Sequence, residues 1–326
     1  APSSPTGGTY LTIVTRGITT TDSDLYEDYV GSLRVMAFDN EGNRVINELV
    51  TDLPQEDDTD SYVTITEELP AGTITSGVYT FYFVANEVGY NITETQTLTQ
   101  ALDVVATKSA LEAIRVKTEM TADGQVKPTV SQMLMSTGPY PALIREGENN
   151  RIGDDNHIKL VRAFAKAQLA LKLPEGNTSQ EVPTVTRVTL NGSIPDYFYL
   201  IPGNKAEITS TTSFNNRTIS ADVTKTLFNE DLDPADYFYV SETIYLPERY
   251  LTNNIEENAL QYSITIEDNN YSAPIADGTE APVDYNIIRN CAYTTIGTYR
   301  QEVLSNFDLL VVPWDDEKVI EVPAFE

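Results

Sequence analysis

The sequence is poor in the residues from which active sites are usually built. One cysteine, one histidine and one tryptophan occur in 326 residues. The single cysteine, Cys291, rules out an intrachain disulfide, and its setting in "RNCAYTTI" reads as a buried, inert thiol on a strand. One His and one Cys do not fill the tetrahedral shell of a zinc site. Ser-His-Asp and Cys-His catalysis need an imidazole beside the nucleophile, and His157 falls where a linker between domains is expected. Basic residues are also scarce: 21 Lys and Arg face 49 Asp and Glu, a net charge of −28. Such a surface repels phosphate backbones and anionic headgroups, which excludes nucleic acid as a partner. No apolar run approaches the ~18 residues of a membrane helix, and neither phosphate-binding glycine motif occurs. Two acidic stretches, "QEDDTDS" at 55–61 and "NEDLDPADY" at 229–237, lack calcium-loop spacing and read as solvated loops. The expectation is a protein that is not an enzyme and holds no cofactor or metal.

What is present points to β-structure. The chain is 40% apolar and 21% charged, an ordinary globular balance, and its length suits two domains. Nineteen tyrosines, with many threonines and valines, favour pleated surfaces. Strands are predicted at 10–15, 31–38, 61–67 and 78–85, with "DNEGN" as a hairpin loop in which Gly42 takes positive φ. A short helix is predicted over 107–116, with Thr107 or Ser109 as N-cap. Residues 137–156 read as a loop-rich stretch, which sets the divide at Asn156: one domain of 1–156 and another of 157–326. The run after His157 fits a helix or a strand, and the alternation of Leu169, Leu171 and Leu173 favours the strand. Further strands are predicted at 184–191, 197–201, 217–223, 237–246, 260–267, 283–288, 292–297 and 307–312. The fold class is therefore mostly β, with an antiparallel β-sandwich in each half. Trp314 reads as a packed anchor at a strand end.

Both ends of the chain carry strands of particular interest. In "TYLTIVTRGITTTDSD", Leu11, Ile13 and Thr15 share one face, with Thr12 and Val14 on the other. The strand stops at Arg16, followed by Gly17 and a polar, acidic run with nothing to pack, so Arg16 is expected in an exposed linker. At the other end, "FDLLVVPW" (307–314) sets Leu309 and Val311 against Leu310 and Val312. "KVIEVPAF" (318–325) sets Ile320, Val322 and Ala324 against Val319 and Glu321. These two segments fit a terminal hairpin of the second domain, or strands offered to another molecule.

Six stretches, in order, resemble the fimbrillins, the subunits of the type V pili of Bacteroidales bacteria. They are "YVGSLRVMAFDNEGN", "YTFYFVANEVG", "KLVRAFAKAQLAL", "ETIYLPERYL", "IIRNCAY" and "LLVVPWDD". One stretch departs: "SQMLMSTGPYP" stands where something nearer Ile-Pro-Met followed by Ser/Thr-Gly is expected. The resemblance implies two transthyretin-like β-sandwich domains and export to the outer membrane as a lipoprotein. It also implies cleavage at the cell surface by an arginine-specific protease, which on this sequence maps to Arg16–Gly17 and removes the strand bearing Leu11, Ile13 and Val14. Copies of the chain and other pilus subunits would then join head to tail by strand exchange, with Leu309, Val311, Val319, Ile320 and Val322 as donor candidates. The implied role is a fimbrial subunit in adhesion and biofilm formation. The alternative is a non-polymerising surface lipoprotein or tip adhesin that binds a host glycan or protein.

Overall fold

The computed structural model describes residues 8–16, 27, 29–51, 53, 62–69, 72–126, 132–155, 157–176, 181–300 and 302–314. The chain divides into two compact units: Ala1–Ala163 with Pro195–Ser210, and Phe164–Ile194 with Thr211–Glu326. The divide thus falls seven residues beyond Asn156, and a short segment after the second unit's first strands returns to the first unit.

Unit 1 opens with β1 (Thr9–Arg16), β2 (Leu33–Phe38), β3 (Arg44–Val50), β4 (Tyr62–Leu69) and β5 (Gly77–Ala85). Two short helices follow, α1 (Leu98–Asp103) and α2 (Lys108–Glu112), then β6 (Arg115–Lys117) and β7 (Met135–Ser136). β8 (Tyr140–Ile144), β9 (Asn149–Ile152) and β10 (Val161–Arg162) complete its first pass. One sheet has the order β10-β7-β5-β2-β3, with β8 also paired to β5; the other is β4-β1-β9. The core lies on β2 and β5, where Leu33, Met36, Phe38, Phe81 and Phe83 are fully buried.

The β2–β3 connection is the expected hairpin: Gly42 has φ +82°, and the Asp39 and Asn43 main chains close the turn. α1 was not foreseen, although its capping box is written in the sequence. Thr97 Oγ1 accepts from the Gln100 N–H, and Gln100 Oε1 accepts from the Thr97 N–H. α2 is shorter than predicted. It starts at the Thr107 cap but stops at Ala113, because Arg115–Lys117 is drawn into a strand pair.

Unit 2 starts with β11 (Phe164–Lys172) and β12 (Val185–Pro195). β13 (Tyr197–Tyr199), in the returning segment, pairs with β6 of unit 1. The rest of unit 2 is β14 (Thr211–Thr218), β15 (Tyr237–Val240), β16 (Ile244–Pro247), β17 (Leu260–Ile266), β18 (Asn269–Ile275), β19 (Cys291–Arg300) and β20 (Val303–Pro313). Its sheets run β15-β11-β19-β20, with β16 also on β11, and β14-β12-β17-β18. β11 is a strand, and nearly all of it is buried on both faces because it lies at the sheet centre. The predicted strand at 237–246 is broken at Ser241. There the Ser241 hydroxyl accepts the Leu169 N–H at 2.9 Å and donates to the Glu242 carbonyl, replacing a ladder bond. The predicted strand at 217–223 lies earlier, as β14. The one at 283–288 does not form; Asp284 and Ile287 make only isolated bridges. The two units are mostly β: unit 2 has two sheets, and unit 1 has two sheets and the two-stranded β13-β6 ribbon.

Candidate functional site

β1 is the middle strand of its sheet. It runs antiparallel to β4 through eight residue pairs, Thr9↔Leu69 to Arg16↔Tyr62, and parallel to β9 from Tyr10↔Asn149 to Ile13↔Ile152. A further parallel bridge joins Thr15 to Ile158. Leu11, Ile13 and Thr15 are fully buried, as the alternation predicts. Burying two such aliphatic side chains contributes roughly 3–6 kcal/mol. The opposite face is polar yet covered: Thr12 Oγ1 donates to Asn149 Oδ1 at 2.8 Å and lies 3.1 Å from Thr66 Oγ1. The start of the strand is tied at Thr9, whose hydroxyl accepts the Gly147 N–H, and at Tyr10, whose N–H reaches the Glu148 carbonyl.

The strand continues through Arg16, whose main chain stands opposite Tyr62, one residue beyond the predicted end. Of Val14 and Arg16 only the backbone is described, and Gly17 lies outside the described residues. Taking β1 away would leave β4 without its neighbour, open β9 along one edge, and uncover the residues against which Leu11 and Ile13 pack.

The partner strand β9 falls inside the stretch predicted to be loop, as does β8. Two asparagines and an arginine in "NNRI" give no strand signal; the alternation exists only in burial, with Asn150 and Ile152 buried and Asn149 and Arg151 exposed. Asn150 is tolerated inside because its amide serves main chain on all sides, including the Arg145 N–H, the Arg145 carbonyl and the Glu148 carbonyl. His157 is exposed in the turn after β9, its Nδ1 2.9 Å from the Asp155 carbonyl.

At the other end of the chain, Leu309 and Val311 lie in β20, opposite Thr295 and Tyr293 of β19. Leu309 also accepts the Gly278 N–H, and Leu310 packs on a buried cluster of Ala170, Tyr237, Val240 and Ile296. Trp314 is the predicted anchor: it stacks on Tyr245 at 6.0 Å, and the Lys166 ammonium lies 4.5 Å from its ring centre. Val319, Ile320 and Val322 lie outside the described residues.

Two buried ion pairs occupy the stretches that carry the resemblance. In unit 1, Arg34 donates from Nε and Nη2 to both carboxylate oxygens of Glu87 at 2.7 Å. Its remaining donors reach Asp103 and Asn47. Burial works against the Arg34 charge, and the bonds to Glu87 and Asp103 outweigh it, so its pKa is raised. Beside it, Asn86 holds a left-handed φ of 61° while its side chain bonds Gly31, Tyr29 and Met133 main chain. In unit 2, Arg289 Nη2 meets Glu248 Oε2 at 2.7 Å, and Tyr250 donates to Glu248 Oε1. Among the described residues, no group of three or more His, Cys, Asp or Glu is arranged to hold a metal ion.

The fold is thus that of a mostly β protein of two units, with β1 at the centre of a three-stranded sheet. Residues 9–191 match the family described as major fimbrial subunit protein (FimA). The chain belongs to this family, whose members are subunits of cell-surface fimbriae that associate with other pilus subunits. No curated protein matches it. Among solved structures it is similar to the tip fimbrial protein Mfa3 from Porphyromonas gingivalis with a C-terminal truncation. That likeness has 17% identity, 94% of this chain and 99% of the other covered, and a TM-score of 0.62. It is also similar to a fimbrial assembly protein from Parabacteroides distasonis, with 15% identity, the same coverages and a TM-score of 0.53. At such identities these two likenesses speak to the fold alone.

Proposed function

We propose that the chain polymerises into a fimbrial filament by strand exchange, in adhesion and biofilm formation, after export to the outer membrane as a lipoprotein. An arginine-specific surface protease cuts after Arg16, β1 departs, and a strand of the next subunit enters between β4 and β9. The observation that carries this reading is the position of β1: a strand that ends at Arg16 and is paired on both sides, whose loss opens a continuous slot. A slot with free main-chain groups and apolar pockets at alternate residues suits an incoming strand. Donor and slot are different surfaces, so each addition leaves a new slot and the contact propagates head to tail. Arg16 is itself paired with Tyr62, so the end of β1 must open from β4 before the bond after it is cut.

Of the donor candidates, Leu309 and Val311 pair with β19 within the chain, which favours the segment bearing Val319, Ile320 and Val322 as the donor. The domain assignment that follows is a cleavable unit 1 that accepts and a unit 2 that donates.

The test is treatment of the full chain with an arginine-specific protease, amino-terminal sequencing of the product, and electron microscopy. A core beginning at Gly17 that forms filaments supports the reading, and loss of filaments on deleting 318–326 assigns the donor. A cleaved chain that stays monomeric overturns polymerisation and leaves a non-polymerising adhesin.

A further inference from the structure

Unit 1 contains a second recess, apart from the β1 slot. It has a volume of about 520 Å³, and its walls include Ile92, Ile114, Arg115, Tyr197, Glu207 and Ser210. Small-molecule sites typically enclose ~300–1,000 Å³; this one falls in that range, and its lining is mixed, with Arg115, Tyr197, Glu207, Thr209 and Ser210 beside the aliphatic Ile92, Ile114 and Ile208.

The walls are fixed by main chain. The β6–β13 ribbon is extended at one end by the Leu200 N–H to the Ile114 carbonyl (3.0 Å) and at the other by the Thr118 N–H to the Asp196 carbonyl (2.7 Å). The Lys117 N–H reaches the Asn91 carbonyl at 2.8 Å, which sets Ile92 beside the ribbon. On the far side, the Asp196 N–H bonds the Ser210 carbonyl, and the Ser210 hydroxyl donates back to the Asp196 carboxylate.

The pleat decides which side chains face outward. Val116 and Phe198 are buried, so Arg115 and Lys117 of β6 share the other face with Tyr197 and Tyr199 of β13. The cross-strand pairs are Arg115↔Tyr199 and Lys117↔Tyr197, cations interleaved with aromatic rings. Lys117 is engaged by Glu94 at 2.6 Å. Arg115 is exposed and meets no acidic side chain among the described residues, in a chain of net charge −28. Arg145, by contrast, has Glu148 within 3.7 Å.

A guanidinium fork presents two parallel N–H donors that suit a carboxylate. A half-buried tyrosine ring offers an apolar face to the C–H side of a sugar. Glu207, Thr209 and Ser210 on the rim supply partners for hydroxyl groups. A purely apolar acid would leave that rim unused. We propose that this recess binds an acidic saccharide, a sugar ring bearing a carboxylate, with Arg115 on the carboxylate, Tyr197 under the ring and Glu207 with Thr209 on the hydroxyls. The site deepens the adhesive part of the proposed function and does not depend on polymerisation.

The test is titration of the full chain, followed by nuclear magnetic resonance, with galacturonic acid, N-acetylneuraminic acid, neutral galactose and a short peptide with a free carboxyl terminus. At least one acidic sugar should bind at least about tenfold more tightly than galactose, and the two acids distinguish a uronic from a sialic source. Arg115→Gln and Tyr197→Ala should each weaken that binding about tenfold or more, while Arg145→Gln leaves it unchanged. All three variants should melt with the parent. Equal binding of galactose, no effect of Arg115→Gln, binding of the peptide alone, or no binding at tens of millimolar overturns the proposal. Should Arg115→Gln disturb the fold, Arg115→Lys, which keeps the charge but loses the fork, must still weaken the acidic sugar relative to galactose. Arg115→Gln should form filaments like the parent, and the 318–326 deletion should still bind the sugar, so the failure of one reading is separable from failure of the other.

Discussion

Ile13 of β1 and Ile152 of β9 are register partners across a parallel pair, and both are fully buried. Ile65 of β4 faces Ile13 from the other side. One rung of three isoleucines thus joins β1 to β4 and to a segment far along the chain.

Ile13→Ala and Ile152→Ala should each destabilise unit 1 of the intact chain by about 2–5 kcal/mol, measured by chemical denaturation. The double variant should cost less than the sum, since the two side chains share one contact. After cleavage the outcomes should diverge. Ile13→Ala becomes silent with β1 gone, whereas Ile152→Ala weakens subunit addition.

The buried ion pairs should be costly to break. Arg34→Ala or Glu87→Gln removes one side of a fully enclosed pair and should cost about 3–5 kcal/mol. Arg289→Ala should do the same to the Glu248 pair. Calorimetry reads the difference: the first two variants lower the transition of unit 1, and the third lowers that of unit 2.

Gly153 follows β9 with φ +116°, and an added Cβ there would collide with the His157 carbonyl. Gly153→Ala should therefore destabilise unit 1 by about 1–3 kcal/mol, because the main chain must move out of its turn. Proteolysis of the 153–158 turn should accelerate in the variant.

Burial pushes the Cys291 thiol up to about 11. At pH 8 its alkylation in the folded chain should run on the order of a hundredfold slower than in the denatured chain. The folded state holds this proton more tightly than the unfolded state, so the contribution to stability is intact below the unfolded thiol's pKa. It is lost as pH rises through about 11. Cys291→Ala should flatten that alkaline slope in a stability profile.

Much of the architecture was legible from local pattern. The Leu11, Ile13, Thr15 alternation, the Gly42 hairpin and the Leu169–Leu171 strand each report a periodicity of two, or a backbone φ, that neighbouring residues alone impose. The capping box of α1 was equally local and simply went unread. The halt at Ser241 and the shortness of α2 were not local, because each depends on a partner far along the chain: Leu169 in one case, Tyr197–Tyr199 in the other.

The sequence by itself determined a β-rich, acidic chain with one His and one Cys, with an amphipathic strand at Thr9–Arg16 and another at Val303–Pro313. The tertiary structure decided that the first strand is central rather than at an edge, because β9, written in asparagines, closes on it from the far side. It also decided that Arg34 and Glu87 are one buried unit and that Arg115 stands over a recess. Side-chain alternation fixes which face of a strand is apolar. Which strand lies beside it is fixed by long-range burial and main-chain pairing, which only the folded chain brings together.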